Sequence, residues 1–234
     1  MTEPKNILVV EDDRSFRNAL ATELESDGTF TSVEIGSGVD VLARVMARNA
    51  RFDAIILGET SLGDDACATC LRLRRSGVQL PIVMIRSTPD EDSVVHSLDS
   101  GANDCIVKPV HFGELKARLR AQIRDYEMSD NAVLGIGPYH FRPSARSLYH
   151  PVQDQQIHLT VKEAALLRQL HQAGGEPVGR QALLQRVWGR NTSALSHTAE
   201  THISRLRRKI EPFLSIEHVS LMDDACAYRL RQNH

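Results

Sequence analysis

Ile7-Leu8-Val9-Val10-Glu11-Asp12-Asp13 is the stretch on which the reading of the first half turns, four apolar residues running straight into three acids. Four further short apolar runs follow it: Ser32–Ile35, Phe52–Leu57, Pro81–Ile85 and Cys105–Val107. Between them lie segments with helical spacing, such as Phe16, Ala19, Leu20 and Leu24, or Leu115, Leu119 and Ile123. Strand and helix alternate five times, which predicts an α/β fold with a five-stranded doubly wound parallel sheet. In such sheets the ligand crevice lies beyond the carboxyl ends of the strands. Glu11-Asp12-Asp13, Gly58-Glu59, Arg86-Ser87 and Lys108-Pro109 are therefore expected around one crevice.

The 234 residues are enough for two ordinary domains, and 41% apolar content is enough for two cores. Charge divides unevenly: residues 1–125 hold 15 Lys+Arg against 20 Asp+Glu, and residues 126–234 hold 13 against 10. Net charges of −5 and +3 make the second half the better partner for a polyanion. Met1 leads into the charged Glu3-Pro4-Lys5 with no apolar signal region. No stretch approaches the roughly 20 apolar residues of a membrane span. The expectation is a cytoplasmic protein without a membrane partner.

Texture changes after Tyr126–Ala132, a polar segment without a clear period that reads as a linker. Val133–Tyr149 carries Gly135, Gly137, Pro138 and Pro143 among short apolar pieces, which predicts small antiparallel strands. Thr160-Val161-Lys162-Glu163 is a capping box that opens a helix through Leu166, Leu167 and Leu170. A second helix covers Gln181–Val187, and a third, Thr198–Ile210, stops before Pro212. Val219–Leu221 and Tyr228–Leu230 are candidates for a closing strand pair. At about 100° per residue, Ala199, Ile203, Leu206 and Ile210 form one buried stripe of the third helix. Thr201, Ser204, Arg205 and Arg208 fall opposite with His197, and Arg207 and Lys209 flank them. Arginine can fork onto guanine while hydroxyls meet phosphates, so this face is a candidate for the major groove of duplex DNA. The helix before it supplies the other half of a helix-turn-helix.

The ordered set Leu159-Thr160…Glu163…Leu166-Leu167, Leu183-Leu184…Val187-Trp188-Gly189, Thr201-His202-Ile203…Arg205-Leu206-Arg207…Ile210-Glu211-Pro212 and Tyr228-Arg229-Leu230 resembles the OmpR/PhoB-type winged helix. The first half resembles the CheY/flavodoxin-like receiver domain of the same response-regulator family. The resemblance implies a receiver over 5–124, a linker over 125–131 and an α+β winged helix-turn-helix DNA-binding domain over 132–233. Arg205 and Arg207 match family positions that contact bases or phosphates, and Ser204 stands where another Arg is common. The wing departs from the family's Arg-Gly-x-Gly-Tyr-Arg-Phe, reading Asp224-Ala225-Cys226-Ala227-Tyr228-Arg229-Leu230 after Asp223. An acidic tip is repelled by phosphates, which puts the usual wing contact in doubt.

In the receiver, Glu11 and Asp12 match the family's metal-binding acids, and Lys108 matches its phosphate-binding lysine, followed by a proline that is cis in the family. The acceptor aspartate is replaced by Gly58, the sensing hydroxyl by Arg86 and the switch aromatic by Cys105. No acyl phosphate can form on a glycine. Adjacent Glu59 is expected to point away from the crevice by strand alternation, while Asp64 and Asp65 lie in the following loop. Two readings stay open: a crevice kept only for packing, or one repurposed with Arg86 paired to Glu11 or Asp12.

The resemblance also implies a homodimer through the fourth helix, fifth strand and fifth helix. Asp104 with Arg118 and Asp99 with Arg120 keep two charge pairs at matching positions, whereas the usual partner of Glu114 aligns with Val94. The function expected is a sequence-specific transcriptional regulator in a two-component lineage, binding direct repeats as a dimer without aspartyl phosphorylation. RNA polymerase is a further candidate partner. Alternatives are gating by thiol oxidation at Cys67, Cys70 or Cys105, gating by a small ligand, or a protein-binding antagonist. No catalytic residue, cofactor or metal ligand set is expected, since Cys67-Ala68-Thr69-Cys70 lacks a second pair to complete a zinc site. Whether Glu11 and Asp12 keep a magnesium ion stays open.

Overall fold

The computed structural model describes residues 4–36, 40–47, 50–59, 65–88, 90–189, 196–211, 213–220 and 226–233, apart from the side chains of 196–198. The chain divides into two compact units, one before and one after the boundary between Ala132 and Val133.

In the first unit the strands are β1 (Lys5–Val10), β2 (Phe30–Ile35), β3 (Ala54–Leu57), β4 (Ile82–Arg86) and β5 (Asp104–Val107). The helices are α1 (Arg14–Glu25), α2 (Val41–Met46), α3 (Ala66–Arg75), α4 (Glu91–Asp99) and α5 (Phe112–Met128). All strand pairs are parallel, in the order β2-β1-β3-β4-β5. The order reverses between β1 and β3, which opens a crevice at their carboxyl ends. Alternation along β1 sends Ile7 and Val9 into a core with Leu20 and Leu24 of α1 and Leu115, Leu119 and Ile123 of α5. Leu8 and Val10 enter the opposite core with Cys67, Cys70 and Leu73 of α3. Being covered on both faces explains why these strands read as unbroken apolar runs. Each fully buried aliphatic chain contributes about 1.5–3 kcal/mol.

Tyr126–Met128, read from sequence as linker, instead completes α5. Lys5 Nζ holds Glu127 at 2.5 Å, and that long-range ion pair carries the helix past the point where apolar periodicity fades.

The second unit begins with an antiparallel sheet of β6 (Leu134–Ile136), β7 (Tyr139–Arg142), β8 (Ser147–His150) and β9 (Gln155–His158). Then come α6 (Val161–Gln172), β10 (Val178–Gly179), α7 (Arg180–Trp188), α8 (Ser196–Ile210), β11 (Leu214–Ser220) and β12 (Cys226–Gln232). The last three strands form an antiparallel sheet in the order β10-β12-β11. Both halves of the Thr160/Glu163 capping box are present at the start of α6. At the end of α7, Gly189 adopts φ 90°, a backbone state that only glycine reaches without strain. Among the described residues no helix is long and apolar enough to cross a membrane.

Candidate functional site

The stripe expected to anchor α8 is buried: Ala199, Ile203, Leu206 and Ile210 are each at most 2% exposed. Thr201, Ser204, Arg205 and Arg208 are exposed on the other side. His197 belongs to α8, but its side chain lies outside the described residues. Arg180 of α7 reaches Glu200 at 3.1 Å, and the Trp188 and His202 rings lie 5.6 Å apart, so α7 and α8 are tied at two points.

Two flanking cations have structural partners that the helical wheel could not disclose. Arg207 Nε donates to the Ile216 carbonyl at 2.7 Å, which fastens α8 to β11. Lys209 Nζ donates to Glu163 Oε2 at 2.7 Å and to the His158 carbonyl at 2.9 Å. Glu163 is 1% exposed and also accepts from Thr160 N–H at 2.8 Å. Burial pushes its carboxyl upward, but Lys209 and the Thr160 amide outweigh it and hold it below the ordinary 4.5. A carboxyl lowered by folding stabilises the fold above its unfolded value, and the contribution disappears as pH falls through the folded value. Glu163→Gln is therefore expected to lower stability at pH 7 by about 1–3 kcal/mol, with the difference shrinking below about pH 4. Fluorescence of Trp188, the single tryptophan, would follow unfolding of this unit in urea. Equal midpoints at pH 7 would remove the role given to the Lys209–Glu163 pair.

In the wing, Glu217 on β11 accepts from Arg229 at 2.6 Å and Arg231 at 3.3 Å on β12. The acids Asp223 and Asp224 lie outside the described residues, as does Pro212.

At the carboxyl ends of the first unit's strands, Glu11 is 2% exposed and its carboxylate is held from two sides. Asp13 N–H donates to Oε1 at 3.1 Å, and Lys108 Nζ donates to Oε2 at 3.3 Å. Lys108 also lies over the Phe16 ring, 4.0 Å from its centroid, and follows β5 directly, through a cis bond to Pro109. Glu11 occupies space beside Gly58: a Cβ on Gly58 would collide with Oε2, stand 2.9 Å from Glu11 Cδ, and lie 3.2 Å from the Val10 carbonyl. Glycine at 58 and the inward carboxylate of Glu11 are one packing arrangement.

The pairing of Arg86 with Glu11 or Asp12, weighed from the sequence, is not the one formed. Arg86 Nε instead lies 3.3 Å from Glu59 Oε1 and donates to Ser93 Oγ at 3.1 Å, with Asp65 at 3.9 Å from Nη1. Glu59 does not turn away, because β3 ends at Leu57 and strand alternation no longer applies. Burial tends to raise its carboxyl, but Ser87, Arg86 and Lys108 together hold it below the usual value. Asp65 caps α3 by accepting from Cys67 N–H at 3.0 Å, and Asp64 lies outside the described residues. Cys105 is half-buried, and burial pushes its thiol upward. The crevice thus pairs its lysine with Glu11 and its arginine with Glu59.

The side-chain oxygens that the family would offer a magnesium ion are reduced in number here. Magnesium takes six oxygens in near-ideal octahedral geometry. Gly58 offers no side-chain oxygen, and the Glu11 carboxylate already accepts from the Lys108 ammonium and the Asp13 amide, which leaves Asp12 as the other acid at these strand ends.

On the α4–β5–α5 side, Arg118 binds Asp104 at 3.0 Å and Glu114 at 2.7 Å within one chain. Glu114 therefore has a basic partner after all, four residues on in its own helix. Asp99 and Arg120 are exposed, as are Val95 and Leu98 on α4.

One cluster was invisible in the sequence. Asp65, Cys67 and His96 bring a carboxylate oxygen, a thiol sulfur and an imidazole nitrogen within 4.8 Å of one another. His96 lies 29 positions beyond Cys67 on a different helix, so no local spacing announces it.

Residues 7–120 match the response regulator receiver domain family, and residues 154–220 match the family described as transcriptional regulatory protein, C terminal. The chain is 34% identical over 206 residues to the transcriptional regulatory protein AfsQ1 of Streptomyces coelicolor, covering 88% of this chain and 89% of that one. It is 35% identical over 210 residues to the DNA-binding response regulator MtrA of Mycolicibacterium smegmatis, covering 90% of each. Among solved structures, the response regulator DrrB, a Thermotoga maritima OmpR/PhoB homolog, aligns over 97% of this chain and 99% of its own at 19% identity and a TM-score of 0.46. A parallel-sheet receiver followed by a helix-turn-helix unit, matched along most of its length to such regulators, places the chain in the OmpR/PhoB family of response regulators, DNA-binding transcription factors rather than enzymes.

Proposed function

We propose that this regulator binds specific duplex DNA through the exposed face of α8, acts as a dimer on direct repeats, and works without aspartyl phosphorylation. The observation that carries the last point is the Glu11 carboxylate lodged beside Gly58 and paired with Lys108. An internal anion thereby meets the lysine that, by family resemblance, would meet a phosphoryl group. A phosphoryl group would need an acceptor side chain that position 58 lacks, and would have to displace Glu11 from Lys108 in a part-buried ion pair.

On this reading the receiver spans 5–124, the connecting segment 125–131 and the DNA-binding domain 132–233. Thr201, Ser204, Arg205 and Arg208 read the groove, with His197 beside them. Arg207 and Lys209 serve the position of α8 before they serve DNA, because each already has a short bond within the fold. Dimerisation through α4, β5 and α5 is supported by Val95, Leu98 and Asp99 of α4 and Arg120 of α5, all four exposed. The Arg118–Asp104 pair, closed within one chain, would have to reopen before it could cross to a partner. The protein would act in the cytoplasm, where it could also meet RNA polymerase.

Incubation with acetyl phosphate and Mg²⁺ is expected to leave the intact mass of the protein and its DNA affinity unchanged. A phosphorylated species lost on Glu59→Gln or Asp65→Asn would overturn the phosphorylation-independent reading.

A further inference from the structure

We infer that Asp65, Cys67 and His96 form a binding site for a thiophilic divalent ion of the zinc class, joining the start of α3 to α4. The three donor atoms come from two separate elements and lie within 4.8 Å of one another. Zinc takes thiolate, imidazole and carboxylate at about 2.0–2.3 Å, so donors on one ion stand roughly 3.3–3.8 Å apart. Closing from 4.8 Å needs about 1 Å of movement on that scale. The exposed His96 side chain is the one with room to supply it.

The donor chemistry selects the ion. A cysteine sulfur is a poor ligand for magnesium or calcium, whereas a sulfur, nitrogen and oxygen set suits zinc and its transition-metal neighbours. Cys67 is 1% exposed, which shields a metal–thiolate bond from solvent. Asp65 is positioned by its own capping bond: Oδ1 accepts the Cys67 amide, which leaves Oδ2 for an ion. Three protein ligands leave the fourth tetrahedral position to water or to an incoming group, so the site is open in character. The nearest competing cation is Arg86, whose Nη1 stands 3.9 Å from Asp65, a loose contact that an ion would outbid.

Placement gives the site its consequence. Arg86 also bonds Ser93 on α4, so the ion, Arg86 and α4 share one set of contacts. An ion fixed between α3 and α4 would set the position of α4, the helix assigned above to the dimer face. Metal binding itself is independent of that assignment and of the phosphorylation reading. Only its use as an input rests on them.

The test uses the full-length protein titrated with Co²⁺ and then Zn²⁺, the latter in competition with a chromophoric chelator. One equivalent of Co²⁺ should give a sulfur-to-cobalt charge-transfer band in the near ultraviolet, bleached by Zn²⁺. His96→Ala and Cys67→Ser should each weaken binding at least about 100-fold, beyond what removing a supporting hydrogen bond costs. Cys226→Ser is the control, since Cys226 lies 3.2 Å from His218 on the wing and is the other Cys–His pair among the described residues. His96 is exposed, so His96→Ala keeps the test decisive even if replacing the buried Cys67 harms folding. A cobalt spectrum without a thiolate band, affinity unchanged in His96→Ala, or binding abolished by Cys226→Ser would each overturn the site.

Discussion

Replacing Arg205 and Arg208 together by alanine is expected to weaken binding of operator-length duplex DNA by about 100-fold or more, at about 1–3 kcal/mol for each arginine removed from the groove. Both side chains are exposed on α8, opposite a stripe in which Leu206 and Ile210 are fully buried. Truncating them leaves the packing of the helix untouched, so the thermal midpoint should hold. If they neutralise phosphates, the slope of log affinity against log salt should fall by about 0.9 for each phosphate released. Arg207→Ala and Lys209→Ala are the contrast. Each breaks a bond inside the fold, to the Ile216 carbonyl or to Glu163, and should lower the midpoint first. Anisotropy titrations at several salt concentrations, paired with melting curves, separate the two classes. The groove face is misassigned if the double variant binds like the parent while Arg207→Ala loses affinity at an unchanged midpoint.

The second large effect concerns the receiver. Gly58→Asp, the change that would put an acceptor back by family resemblance, is expected to destabilise this unit by about 1–3 kcal/mol through overpacking. The new Cβ would press on a Glu11 carboxylate that is 2% exposed and held by Lys108 and the Asp13 amide. Two carboxylates would then share one lysine, and like charges at such range disfavour each other. Glu11→Ala should remove the conflict, so Gly58→Asp should cost less in that background, a coupling of about 0.5–3 kcal/mol. Calorimetry of the full chain would measure it, with Glu163→Gln marking which transition belongs to the second unit. Additive costs would mean that Gly58 and Glu11 do not form a single arrangement.

Much of the fold was legible because the determinants are local or periodic. Parallel strands covered on both faces must be apolar throughout, so Ile7–Val10 and Ala54–Leu57 announce themselves. The Thr160/Glu163 capping box closes within four residues, and the stripe of α8 repeats with the helical turn. Tyr126–Met128 was not legible as helix, since what holds it is Lys5, 122 positions away from Glu127. The same reason hid the partner of Glu163 and the cluster at Asp65, Cys67 and His96.

The basic face of α8 and the absence of any side chain at 58 were properties of the sequence alone. A missing atom cannot be restored by folding, and a helix turns its residues at a fixed angle wherever it lies. Only the tertiary structure decided which charges are spent. Lys108 goes to Glu11, Arg86 to Glu59, and Arg118 to Asp104 and Glu114. Arg207 and Lys209, on the flanks of the helix face, are drawn into the fold, while Arg205 and Arg208 stay exposed. An ion pair depends on distances of a few ångströms between side chains from different elements, and packing sets those distances.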